Sequence, residues 1–127
     1  MRNTNLIGSL PRGIGRLNRL KFLRLYYNDI TGTIPEDLFL IESIETVIFH
    51  NTLMTGSIPT NYKNLSRLNR LSVGLNLQLT GTIPDWIIHC KELVYLRGGN
   101  NEFTGTLPDG IATLTKLKIG ENTNFIR

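Results

Sequence analysis

Five copies of one short string divide this chain into nearly equal lengths: Gly8-Ser9-Leu10-Pro11, Gly32-Thr33-Ile34-Pro35, Gly56-Ser57-Ile58-Pro59, Gly81-Thr82-Ile83-Pro84 and Gly105-Thr106-Leu107-Pro108. The glycines follow one another at steps of 24, 24, 25 and 24 residues. All 5 prolines of the chain stand at this one place in the string, and a threonine precedes the glycine at Thr31, Thr55, Thr80 and Thr104. A fixed period of this length marks a stack of like units. Each unit is too short to bury an apolar side alone and must lie against its neighbours.

Between these markers the apolar residues keep a second register. The first copy has Ile14, Leu17, Leu20, Leu23, Leu25 and Ile30; the second has Leu38, Ile41, Ile44, Val47, Phe49 and Met54. The third has Tyr62, Leu65, Leu68, Leu71, Val73 and Leu79. The fourth has Ile87, Cys90, Leu93, Leu96 and Phe103, with Gly98 where a large residue belongs. The pairs Leu23/Leu25, Val47/Phe49 and Leu71/Val73 alternate with period two and mark short strands. The i, i+3 spacing ahead of them fits a loose 3₁₀ return segment. All these apolar positions are expected in one shared core.

Asn28, Asn76 and Asn101 each follow a strand pair by three residues. A buried amide there can bond backbone groups through both its ends, so stacked copies form a ladder from coil to coil. Thr52 takes that position in the second copy and, with its shorter hydroxyl, is expected to leave a local weakness. The third copy carries one extra residue, Asn76-Leu77-Gln78-Leu79 against Asn28-Asp29-Ile30, which a one-residue bulge would absorb. In the last copy, Leu114 to Asn122 restores the pattern only if about three residues are missing from the return segment, so that copy is expected to be distorted.

The string Leu20-Lys21-Phe22-Leu23-Arg24-Leu25-Tyr26-Tyr27-Asn28-Asp29-Ile30-Thr31-Gly32-Thr33-Ile34-Pro35 resembles the plant-type leucine-rich repeat, L-x-x-L-x-L-x-x-N-x-L-x-G-x-I-P. The resemblance runs over roughly residues 6 to 127. It implies a right-handed leucine-rich-repeat solenoid of α/β type, mostly short parallel strands with a 3₁₀ or irregular convex side. The whole of 1–127 would be one array of about five 24-residue repeats: 6–30, 31–54, 55–79, 80–103 and an irregular last copy, 104–127. The family is known from ectodomains of receptor-like kinases and receptor-like proteins and from polygalacturonase inhibitors, which recognise peptides, hormones, co-receptors or microbial enzymes. This sequence departs from such proteins in having no kinase motifs, no paired-cysteine caps and no signal peptide.

Composition narrows the function classes. The net charge is +4, but the 14 basic residues are spread along the chain, which looks like a solvated surface and not a nucleic-acid patch. Cys90 is the single cysteine, so no internal disulfide can form and the redox compartment stays open. Met1-Arg2-Asn3-Thr4-Asn5 has no apolar stretch behind it, and runs such as Thr46-Val47-Ile48-Phe49 fall far below the ~20 residues of a membrane helix. No membrane contact by this segment is expected, and the compartment is left undetermined. The uncapped ends of the stack invite self-association.

Binding is expected on the concave strand face, where outward residues alternate with core ones. Phe22, Arg24, Tyr26 and Tyr27 lie there in the first copy; Thr46, Ile48, His50 and Asn51 in the second; Arg70, Ser72, Gly74 and Leu75 in the third; Tyr95, Arg97, Gly99 and Asn100 in the fourth. Lys116 and Lys118 extend the face. Tyr and Arg are the residue types that most often carry interface energy, so Phe22, Arg24, Tyr26, His50, Arg70, Tyr95 and Arg97 are the candidate ligand-binding residues. Asn64-Leu65-Ser66 is the one N-glycosylation sequon and falls on the convex side. Cys90 beside His89 reads as a small buried hydrophobe, the two histidines and one cysteine lack metal-ligand spacing, and Trp86 is expected against the coil edge. Gly98-Gly99 reads as a thin spot in the concave wall. The function expected is a non-enzymatic, cofactor-free module binding a protein or peptide, part of a receptor-type or secreted recognition protein. The alternatives are an extracellular hydrolase inhibitor and an intracellular scaffold or immune sensor.

Overall fold

A computed structural model describes residues 5–119. The chain runs in coils, each contributing one strand to a five-stranded parallel sheet whose strand order follows the chain. These strands are β2 (Phe22–Arg24), β4 (Thr46–Ile48), β6 (Arg70–Ser72), β8 (Tyr95–Arg97) and β9 (Lys118–Ile119). On a second side, β1 (Ile7–Ser9) pairs with β3 (Asp29–Thr31) and β5 (Thr55–Ser57) pairs with β7 (Gln78–Thr80), all in parallel. A single bridge, Thr33 to Thr55, joins these two short sheets into one row. Four 3₁₀ turns form the return path, Ile14–Arg16, Leu38–Leu40, Asp85–His89 and Ile111–Thr113; the third coil returns without one. This is the solenoid that the repeat requires.

Each repeated residue has a local task. Gly32, Gly56, Gly81 and Gly105 hold φ between +77° and +80°, the left-handed region where a side chain is strained. A Cβ on Gly56 would also come within 3.0 Å of the Thr33 methyl of the coil before. The threonine ahead of the glycine reaches back one coil: the Thr80 hydroxyl donates to the Gly56 carbonyl at 3.4 Å, and Thr104 donates likewise to Gly81. A second left-handed column stands just after the main strands, at Tyr27, Asn51, Leu75 and Asn100, with φ of 56° or 57°. There the Tyr27, Asn51 and Leu75 amides donate to the carbonyls of His50, Gly74 and Gly99 in the following coil.

The asparagine column bonds coil to coil. Asn28 Oδ1 accepts the Leu6 amide, and Asn101 Oδ1 accepts the Leu79 amide while its Nδ2 donates to Val73 and Gly98 carbonyls. Asn76 takes both the amide and the hydroxyl of Thr52 on Oδ1 and donates to the Val73 carbonyl at 2.6 Å. Thr52 therefore bonds forward to the third coil. The extra residue of the third copy is absorbed at Leu77, which turns left-handed at φ 67° and stands in solvent.

Two expected core residues stand exposed, and the readings of the fifth coil and of Trp86 also need correcting. Leu17 is 54% exposed, because among the described residues no coil lies on the outer side of the one that carries it. Tyr62 is 43% exposed: the third coil has no 3₁₀ turn to tuck it in, and its ring stacks instead on those of Trp86 and His89. In the fifth coil three residues are not missing from the return segment. Leu114 is buried in the position of Cys90, and Lys118 pairs with Tyr95 at an offset of 23, one short of the usual step. Asn122, expected to end that pattern, lies outside the described residues. Trp86 sits deeper than the coil edge, 3% exposed against Phe39, with its indole N–H donating to the Pro59 carbonyl.

Candidate functional site

The parallel register sets side chains on the open face of the main sheet into rows that cross the coils. One row reads Phe22, Thr46, Arg70, Tyr95 and Lys118; the next reads Arg24, Ile48, Ser72 and Arg97. A third, one step past the strand ends, reads Tyr26, His50, Gly74 and Gly99, as the backbone bonds from coil to coil continue the ladder. Large residues stand at Arg24, Ile48 and Arg97 in the second row and at Tyr26 and His50 in the third, which ends in Gly99. The third coil contributes only Ser72 and Gly74 to the second and third.

That contrast in size makes a hollow. It encloses about 390 Å³ and is lined by Tyr26, Tyr27, Ile48, His50, Arg70, Ser72, Tyr95 and Arg97. Beside it, Gly74 leaves room for His50: a Cβ there would approach the Gly99 carbonyl oxygen at 3.2 Å and His50 Nδ1 at 3.8 Å. Tyr27 sets its ring edge-on to both Tyr26 and His50, at 5.8 and 5.7 Å between centroids. The Arg70 guanidinium lies over the Tyr95 ring at 4.5 Å, which holds a flexible cation in one place. Burial, and then the nearby Arg97 charge, push the His50 pKa below its usual value.

Of the seven candidate residues, the hollow gathers Tyr26, His50, Arg70, Tyr95 and Arg97. Phe22 and Arg24 stand apart at the first edge, with the Arg24 guanidinium 5.0 Å over the Phe22 ring. Thr46, expected to face outward, is buried between the longer Phe22 and Arg70 of the adjoining strands. Tyr27, Ile48 and Ser72 belong to the lining although they carried no special weight in the sequence. The missed signal was the row: with the coils aligned at their true offsets, the step from large residues to Ser72 and Gly74 is visible in the letters alone.

Elsewhere, burial pushes the Cys90 thiol up to about 12, so it carries no thiolate near neutral pH, and its sulfur lies 3.9 Å from the Trp86 carbonyl. His89 faces Tyr62 on the return side. Among the described residues no group of three or more His, Cys, Asp or Glu could hold a metal ion, and no helix is long and apolar enough to cross a membrane. Asn64 is exposed on the return side of the third coil, its side-chain oxygen accepting the Ser66 amide.

Stacked parallel coils, a glycine–proline row and an asparagine ladder together define a leucine-rich-repeat solenoid with the plant-type repeat. The family model described as Leucine Rich Repeat matches residues 19–40 of this solenoid. It is 34% identical over 116 residues to Receptor-like protein 35 of Arabidopsis thaliana, a match that covers 91% of this chain and 12% of that protein. The repeat also matches an adenylate cyclase of Schizosaccharomyces pombe, at 32% identity over 58% of this chain and 4% of that protein. Among solved structures, the ectodomain of the receptor kinase SOBIR1 from Arabidopsis thaliana is similar with a TM-score of 0.84 and 30% identity, over 93% of this chain and 63% of that one. The Arabidopsis receptor kinase HAESA, in complex with the peptide hormone IDA and the co-receptor SERK1, is similar with a TM-score of 0.79 and 30% identity, over 89% of this chain and 20% of that one. The chain thus spans only about an eighth of Receptor-like protein 35.

Proposed function

We propose that this array is a non-catalytic binding module that takes a protein or peptide ligand on the open face of the five-stranded sheet, as part of a receptor-type recognition protein. The hollow between Tyr26 and Arg97 carries the reading. It is a concavity on rigid strands, walled by tyrosine and arginine, the side chains that dominate interface energetics. The likeness to HAESA, solved with a peptide hormone and a co-receptor, supports a ligand of the same kind. The buried, protonated Cys90 gives no support to nucleophilic catalysis.

The test is selection of a random displayed-peptide library on the immobilised chain, followed by challenge with variants. Tyr95→Ala and Arg97→Glu each weaken selected peptides at least tenfold while leaving the urea unfolding midpoint in place. Peptides that bind both variants as well as the parent chain would put recognition on another surface.

A further inference from the structure

The chemistry of the lining narrows the ligand. Arg70 and Arg97 reach the hollow from adjoining coils, His50 reaches it from the coil before, and the hydroxyls of Tyr26, Tyr27, Ser72 and Tyr95 supply further donors. No carboxylate is in the lining. The two ion pairs among the described residues lie elsewhere, Lys21 with Glu45 and Lys116 with Glu92, so neither Arg70 nor Arg97 is neutralised by one. Stacking on Tyr95 orients the Arg70 fork but leaves its N–H groups without an acceptor charge. Two cations held in a partly enclosed space repel one another until an anion lies between them, and an oxygen anion also satisfies their donors.

We propose that the hollow holds a side-chain carboxylate of an acidic peptide between Arg70 and Arg97, with His50 as a third, proton-dependent donor. This rests on the reading that the sheet face binds peptides. The groups facing His50 are Tyr26 and Tyr27 from the first coil, Arg70 from the third, and Tyr95 and Arg97 from the fourth. With the hollow empty, these surroundings disfavour the imidazolium, since burial and the Arg97 charge both oppose it. A carboxylate reverses that balance, so its arrival is linked to proton uptake at His50, and binding tightens as pH falls from 7.5 toward 5.5. The aspartate or glutamate of the ligand stays ionised over that range. Ser72, the small third-coil residue of the lining, leaves space for the incoming group, and a larger residue there would fill it.

The experiment follows the imidazole ring signals of the chain by NMR through a pH titration. His50 and His89 are the only two histidines, and His89, stacked on Tyr62 at the return side, is the internal control. N-acetyl-glutamate amide is expected to raise the His50 midpoint by about 0.5 unit, equal to roughly threefold tighter binding to the protonated form, and to leave His89 signals in place. N-acetyl-glutamine amide is expected to do nothing, and Ser72→Phe to abolish the glutamate response. An equal response to glutamine, or an unmoved His50, overturns the proposal; an equal rise with inorganic sulfate overturns its carboxylate selectivity. The displayed peptides separate the two levels of inference. Peptides that need Tyr95 and Arg97 but tolerate Glu→Gln and Asp→Asn changes sink the carboxylate while the binding face stands. Peptides indifferent to Tyr95 and Arg97 sink the face itself.

Discussion

The first and second coils carry nearly the same apolar template and do very different things with it. In the second, Leu38, Ile41, Ile44, Val47 and Phe49 are all 0% or 1% exposed. In the first, Leu17 is 54% exposed, Leu20 and Leu23 are half-buried, and only Ile14, Leu25 and Ile30 enter the core. The column through position 17 makes the point sharply, since Ile41, Leu65, Cys90 and Leu114 are all buried at the same place in later coils. Burial in a stack is conferred by neighbours. A coil with company on one side keeps only part of the stabilisation that its own sequence could provide.

The largest test of that difference is a pair of truncations. Phe49→Ala removes a ring with coils packed on both sides, and is expected to cost about 3–5 kcal/mol. Leu17→Ala removes a side chain already half in water, and is expected to cost less than about 1 kcal/mol. Urea unfolding of the two variants checks this, and comparable losses would mean that the first coil is covered in solution. An unchanged slope with urea is part of the expectation, because loss of the first coil alone would lower it.

The asparagine ladder gives a second, smaller contrast. Asn76 is buried between the second and third coils and holds the Thr52 amide and hydroxyl as well as the Val73 carbonyl. Asn76→Ala strands those groups away from water and is expected to cost about 2–3 kcal/mol. Asn28, as buried as Asn76, accepts the amide of the half-buried Leu6 and donates to the Tyr26 carbonyl, and water reaches the Leu6 amide more readily than the Thr52 amide. Asn28→Ala is expected to cost about half as much, read from the same unfolding curves. If the order inverts, the end coil is the better anchored of the two.

Much of this was legible in the letters because each repeated residue answers a local backbone demand. The glycine column needs left-handed backbone, the asparagine column needs a two-ended amide, and the period-two pairs need strands; each is a property of one coil. What escaped is set between coils. Leu17 and Tyr62 read as core because they occupy the template positions, yet among the described residues no coil covers the outer side of the first, and the second sits in a coil without a 3₁₀ turn. Thr46 reads as outward because strands alternate, yet longer residues on both neighbouring strands cover it. The hollow is a difference in side-chain size across rows, a feature that no coil contains. Five of the seven candidate residues line it because the strands share register; Phe22 and Arg24 share rows with Arg70, Tyr95 and Arg97 but stand on β2, the edge strand of the sheet, and fall outside.

The smallest expected effect separates the two histidines, one on the open face of the main sheet and one on the return side. His50 has a folded-state pKa below the ordinary 6.5, lowered first by burial and then by Arg97. The unfolded chain therefore takes up a proton at a pH where the folded chain still resists it. The sign follows from linkage: this contribution to stability is present in full above pH 6.5 and is lost as pH falls through the lower, folded value. In His50→Gln that part of the acid sensitivity should vanish, so the difference between its urea midpoint and that of the parent chain changes between pH 7.5 and pH 5. His89→Gln serves as the comparison. Arg97→Gln should weaken the same acid sensitivity without abolishing it, because burial is the larger cause and remains. If His50→Gln tracks the parent chain in parallel across this range, the imidazole is more openly hydrated than the walls of the hollow imply, and the proton link drawn to carboxylate capture loses its starting point.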